Sequence, residues 1–114
     1  MAGRRAAGGR RLGRVFVLIV RFDCRDEASA HRFDELTAEV VREITEKEPG
    51  TLVYATHRVA DEPLARVFHE VYRDRAAFQA HETAEHVRRF HARKDPLLAG
   101  TRVEFLEPGP GKAG

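Results

Sequence analysis

Three histidines stand five residues apart in HETAEHVRRFH, residues 81–91, and they are half of the six in the chain. Such groups can ligate a metal, move a proton near neutral pH or simply fill a helix. On a regular helix turning about 100° per residue, His81 and His91 fall on either side of an apolar face carrying Ala84 and Val87, and His86 points the other way. The same helix would separate His81 from His91 by about 15 Å, too far to share one zinc ion. The i,i+4 pairing of a metal-binding helix is also missing, so no metal site is expected here. His57 and His69 lie on segments that read as strands and could share one side of a sheet. Proton transfer in a cavity is therefore the chemistry to look for.

The elements that must position these groups follow from periodicity. RVFVLIVRF (14–22) is β-branched and aromatic, apolar on both alternating faces, and reads as a strand buried on both sides. DEASAHRFDELTAEVVREITEKEPG carries Phe33, Leu36, Val40 and Ile44 at helical spacing; Asp26 or Ser29 caps its start and Glu48-Pro49-Gly50 ends it. TLVYATHRV (51–59) and ARVFHEVYR (65–73) are strands joined by a turn at residues 61–63. Asp74 caps a helical stretch reaching about Lys94, with a break expected near Glu82-Thr83. TRVEFLEP (101–108) is the last strand. The order β-α-β-β-α-β defines an α+β, ferredoxin-like fold. Two helices cover one face of such a sheet, so the doubly apolar first strand implies a homodimer with sheets packed face to face.

Composition narrows the function classes. The chain has 114 residues, enough for one domain. Its net charge is +2, with 20 basic and 18 acidic residues. Five of the arginines lie in MAGRRAAGGRRLGR, which has no acidic residue; without them 15 basic residues face 18 acidic ones, a formal −3. The calculated pI near 9.0 thus belongs to a basic tail, residues 1–13, expected to be disordered like residues 109–114. Specific nucleic-acid binding is not expected, because the body from residue 14 to 108 shows no basic stripe. Cys24 is the sole cysteine, which excludes an internal disulfide. VFVLIV is too short to span a bilayer and no secretory signal is evident, so the expected location is the cytoplasm, with no membrane partner.

PGTLVYATHR, then VFHEVYRDRAAFQAHETAEHVRRF, then PLLAG and a closing strand, together resemble the antibiotic biosynthesis monooxygenase family of dimeric α/β-barrel proteins. The likeness covers about residues 14–108. Its most specific run is met by Glu70, Tyr72, Asp74, Ala77, Phe78 and His81. The resemblance implies a cofactor-independent monooxygenase that oxidises a quinol-like or hydroxylated polycyclic aromatic compound with dioxygen. His81 or His69 would be the base and Tyr72 a further catalytic-site group. Tyr54, Glu70, Phe68 and His91 would contact the substrate. A second reading is a small-molecule-binding dimer without turnover. A third is haem binding through His91, which falls near the axial histidine of haem-degrading relatives. Those relatives add a helix Trp and a first-strand Asn, and this chain has neither.

Overall fold

The computed structural model describes residues 15–112; the proposed basic tail, residues 1–13, lies outside them, as do Arg14 and residues 113–114. In chain order the elements are β1 (Phe16–Cys24), α1 (Glu27–Lys47), β2 (Thr51–Val59), β3 (Glu62–Tyr72), α2 (Arg75–Thr83), α3 (Glu85–Lys94), a short 3-10 turn (Asp95–Leu97) and β4 (Leu98–Leu106). The strands form one antiparallel sheet in the order β2-β3-β1-β4, the ferredoxin-like arrangement.

Local chemistry sets the helix ends. The Asp26 carboxylate accepts the Ser29 N–H at 2.8 Å, and the Asp74 carboxylate accepts that of Ala77 at 2.8 Å, each satisfying an orphan donor of a first turn. The long helical stretch breaks at Ala84, whose backbone is extended (φ −65°, ψ 140°), one residue beyond the expected place. The hairpin turn falls at Ala60–Asp61 rather than 61–63, with Asp61 at φ 65°, so β3 begins at Glu62.

Alternation along the central strands divides the sheet into two faces. Leu18, Val20, Phe22 and Cys24 of β1 and Phe68, Glu70 and Tyr72 of β3 turn towards the helices and are buried. They meet Ala30, Phe33, Leu36, Val40 and Ile44 of α1, the stripe that its sequence spacing marks, and Val87 and Phe90 of α3. The opposite face carries Val17, Ile19, Val67, His69 and Val71, all half-exposed, and no helix among the described residues covers it. β2 and β4 are the edges, and β4 is the barest: Val103 and Phe105 are 45% and 63% exposed.

Candidate active site

A cavity of about 170 Å³ lies between the helix-facing side of β1–β4 and the α2–α3 pair. Its walls are apolar (Leu18, Val20, Phe22, Phe78, Phe90), and its polar groups include Tyr54, Glu70, His81, Glu82, His91 and Lys94. A small apolar chamber with a few convergent polar groups is the usual form of a small-molecule site.

His81 is held at 3% exposure on α2, and its Nδ1–H donates to Oε1 of Glu48 at 2.8 Å. Glu48 ends α1 and is itself buried, accepting also from Thr51 Oγ1 at 2.6 Å and from His86 Nε2–H at 2.5 Å. Burial alone would push the Glu48 carboxyl up, but the hydrogen bonds from His81 and Thr51, the charge of His81 and the bond from His86 outweigh it and hold it below its ordinary value. An ionised carboxylate only accepts, so it fixes the His81 tautomer: Nδ1 carries the hydrogen, and in the neutral ring Nε2 keeps its lone pair. That nitrogen is 4.0 Å from Glu82 Oε2, and both residues line the cavity.

Glu70, 5% exposed, accepts the Tyr72 hydroxyl hydrogen at 2.6 Å. Burial pushes the Glu70 carboxyl up, against the Tyr72 hydrogen bond and the nearby His81 and His91. Burial, and then the adjacent Glu70, raises the Tyr72 hydroxyl far above its ordinary value, so Tyr72 stays protonated. Tyr54 is likewise pushed well up, by burial and then by the charges of Glu70, Glu48 and Glu82. Neither tyrosine can act as a base; both can hold and donate. At the cavity mouth the His91 imidazole, 3.8 Å away, holds the Glu82 carboxyl low.

The residues singled out in the sequence therefore separate. His81, Tyr54, Glu70 and His91 line the cavity, and Tyr72 lies directly behind Glu70 and His81, its ring 5.1 Å from the His81 ring. Phe68 is core, packed on Phe22, Phe33 and Tyr54. His69 pairs with Ile19 on the uncovered face, across the sheet from the cavity, where His57 joins it as expected. Two expectations for the histidine run are corrected. His86 turns inward to Glu48, and His81 and His91 both lie within 4.0 Å of one Glu82 oxygen rather than about 15 Å apart. Both errors have one cause: the extended backbone at Ala84 re-aims α3, so a rotation counted from His81 does not carry across it.

Glu48, Glu82 and Lys94 were not identified from sequence. Glu48 reads only as a helix end, and nothing local links it to a histidine 33 positions later. Among the described residues, no group of three or more His, Cys, Asp and Glu is placed to hold a metal ion. For haem, the chamber of about 170 Å³ is smaller than a porphyrin, and His91 lies 3.8 Å from Glu82 rather than standing alone as a ligand. A wider cleft beside α1, about 470 Å³, contains Asp34, Thr37, Arg58 and Arg66. Its buried Arg66 is spent internally, bonded to Asp34 at 2.9 and 3.1 Å and to the carbonyls of Pro63 and Ala65.

A four-stranded ferredoxin-like sheet, with a partly open cavity between it and the helices, defines an α+β class. The sequence profile of the antibiotic biosynthesis monooxygenase family matches residues 15–93, and the chain belongs to that family. Solved structures agree on the fold. A Caulobacter crescentus protein, named as a candidate antibiotic biosynthesis monooxygenase, is 20% identical with a TM-score of 0.80, over 90% of this chain and 96% of that one. A structure named antibiotic biosynthesis monooxygenase is 26% identical with a TM-score of 0.75, over 83% and 99%. A Pseudomonas aeruginosa protein is 22% identical with a TM-score of 0.76, over 87% and 98%. None of the curated proteins gives a significant match. No helix among the described residues is long and apolar enough to cross a membrane.

Proposed function

We propose that this chain is a cofactor-independent monooxygenase acting on a hydroxylated, quinol-like aromatic compound of one or two rings, and that it works as a homodimer joined through the uncovered sheet face. The observation that carries the reading is the Glu48–His81 pair: a buried carboxylate orients the imidazole of a residue that lines a largely apolar cavity. Membership of the family supports the oxygenase class. The cavity volume favours one or two rings over a larger polycycle, since an apolar chamber of about 150 Å³ accommodates benzene.

In this mechanism His81 Nε2 takes the phenolic proton, and Glu48 stabilises the imidazolium that results. The phenolate, electron-rich at the ring carbon para to its oxygen, passes an electron to dioxygen. Recombination at that carbon, which must carry a hydrogen, gives a ring hydroperoxide, and loss of water from it leaves a carbonyl. One oxygen atom enters the ring, the other leaves as water, and the substrate supplies all four electrons. Tyr54 donates to the substrate, and the apolar walls keep water from the anion.

The test is oxygen uptake by the purified protein with a panel of phenols and quinols, each set against its protein-free rate. Uptake well above that rate is expected, reduced about 10²-fold or more in His81→Ala. Uptake no faster than without protein, across the panel, overturns the reading. A His81→Ala variant with undiminished activity per folded molecule removes His81 as the base.

A further inference from the structure

Lys94 is a cavity group that the acid–base reading leaves without a task. It ends α3 at 5% exposure, and a buried ammonium is costly unless anions or several acceptors meet it. Its Nζ donates to Asp95 Oδ1 at 2.7 Å, but Asp95 is a largely exposed carboxylate on the following turn. Glu82 feels the Lys94 charge across the cavity without bonding to it, and two aromatic rings lie nearer at hand: Nζ is 5.3 Å from the centre of the Phe22 ring and 5.8 Å from that of Phe90. Cation–π attraction of this kind offsets part of the desolvation, yet the ammonium carries three N–H donors and Asp95 takes one.

Position gives the unspent donors a meaning. Lys94 sits over Phe22, whereas Glu70, with His81 near it, lies at the level of Leu18, its partner across β1 and β3. Four residues of strand place those levels about 13 Å apart. The cavity thus has a proton-accepting end and a cationic end, with apolar walls and the Glu82–His91 pair between them. A phenol deprotonated at His81 cannot offer the same oxygen to Lys94, so the cationic end calls for a second, separate anionic group on the ligand.

We propose that Lys94 is the anion-recognition group of the cavity, which makes the preferred ligand a hydroxylated aromatic carboxylate lying with its hydroxyl at His81 and its carboxylate at Lys94. The inference rests on the oxygenase reading only for the role of His81; recognition of the carboxylate stands or falls by itself.

The probe is a hydroxynaphthoate with hydroxyl and carboxylate at opposite ends of its two rings, compared with its neutral amide by calorimetric titration of the full chain. The wild type is expected to bind the carboxylate roughly tenfold or more tightly than the amide, the scale of one charge-assisted hydrogen bond. Lys94→Met should bring the two affinities together, Lys94→Arg should keep the preference, and His81→Ala should keep it as well. Circular dichroism confirms that each variant is folded, and the wild-type comparison needs no variant. Equal affinity for the two probes in the wild type, failure to bind either, or a preference that survives in Lys94→Met overturns the inference. Oxygen uptake on neutral phenols in the same preparation keeps that failure distinct from failure of the oxygenase reading, and selective binding without uptake upholds Lys94 alone.

Discussion

At the scale of single residues, Glu70 and Glu48 are two buried carboxyls pushed in opposite directions. Glu70 has one protein donor, the Tyr72 hydroxyl, and burial raises it; Glu48 has three donors and is held low. A raised carboxyl favours the neutral form in the fold. Its contribution to stability is complete below the ordinary glutamate value, about 4.3, and is lost as pH rises through the higher folded value. Glu70→Gln keeps an acceptor for Tyr72 and removes the charge. Its melting temperature should exceed that of the wild type at neutral pH, with the gap closing on acidification to about pH 4, in paired melts across that range. A gap that does not change with pH would show that Glu70 is not the group under strain. Sequence makes half of this chemistry visible. Glu70, Tyr72 and His81 stand in a recognisable run on adjoining elements, whereas Glu48 meets His81 only through the packing of a helix end against another helix.

Among the elements, α2 is the piece that carries His81, and its seat is tight. It crosses the start of β2 so closely that a Cβ added at Gly50 would lie 2.7 Å from the Cβ of Ala77. Gly50→Ala must therefore lift α2 or displace the strand, at a cost of about 1–3 kcal/mol in chemical denaturation. Because α2 holds one half of the Glu48–His81 bond, turnover should fall too, although Gly50 does not line the cavity. A variant as stable as the wild type would show that the contact relaxes freely. The strands and α1 were legible because alternation and helical spacing are strong in them: β2 lies at the expected residues, and four expected positions form the α1 core stripe. The bend at Ala84 was located only to within a residue or two. Alanine is the best helix former, so its extended conformation reflects tertiary packing rather than local preference.

For the whole molecule, the uncovered face is the largest unspent resource. Val17, Ile19, Val67 and Val71 are half-exposed at its centre, and Val53 and Leu106 are exposed towards its edges. If two copies meet there, Ile19→Lys should yield a monomer of unchanged secondary structure by light scattering and circular dichroism, because the new charge would be buried only in the assembly. A wild type that already runs as a monomer would end the dimer proposal. The apolar outer side of β1 was readable in VFVLIV, and the sheet order followed from the succession of elements. The partition of the histidines between the two faces was not, since it depends on pairing between strands.

That pairing reaches further than the placement of one histidine. β3 stays in unbroken register with β1 from Phe16 opposite Tyr72 to Asp23 opposite Ala65, while the irregularities in its pairing with β2 fall near the two ends of that edge strand. Phe68, Glu70 and Tyr72 alternate with Val67, His69 and Val71, so one strand encodes two linings and the alignment selects between them. Sliding β3 by a single position would bring the imidazole of His69 inside and turn the carboxyl of Glu70 out, changing the chamber's chemistry without changing any residue. A one-residue deletion just before this strand is accordingly a more drastic edit than most substitutions within it, and natural length variation in this hairpin should come in steps of two.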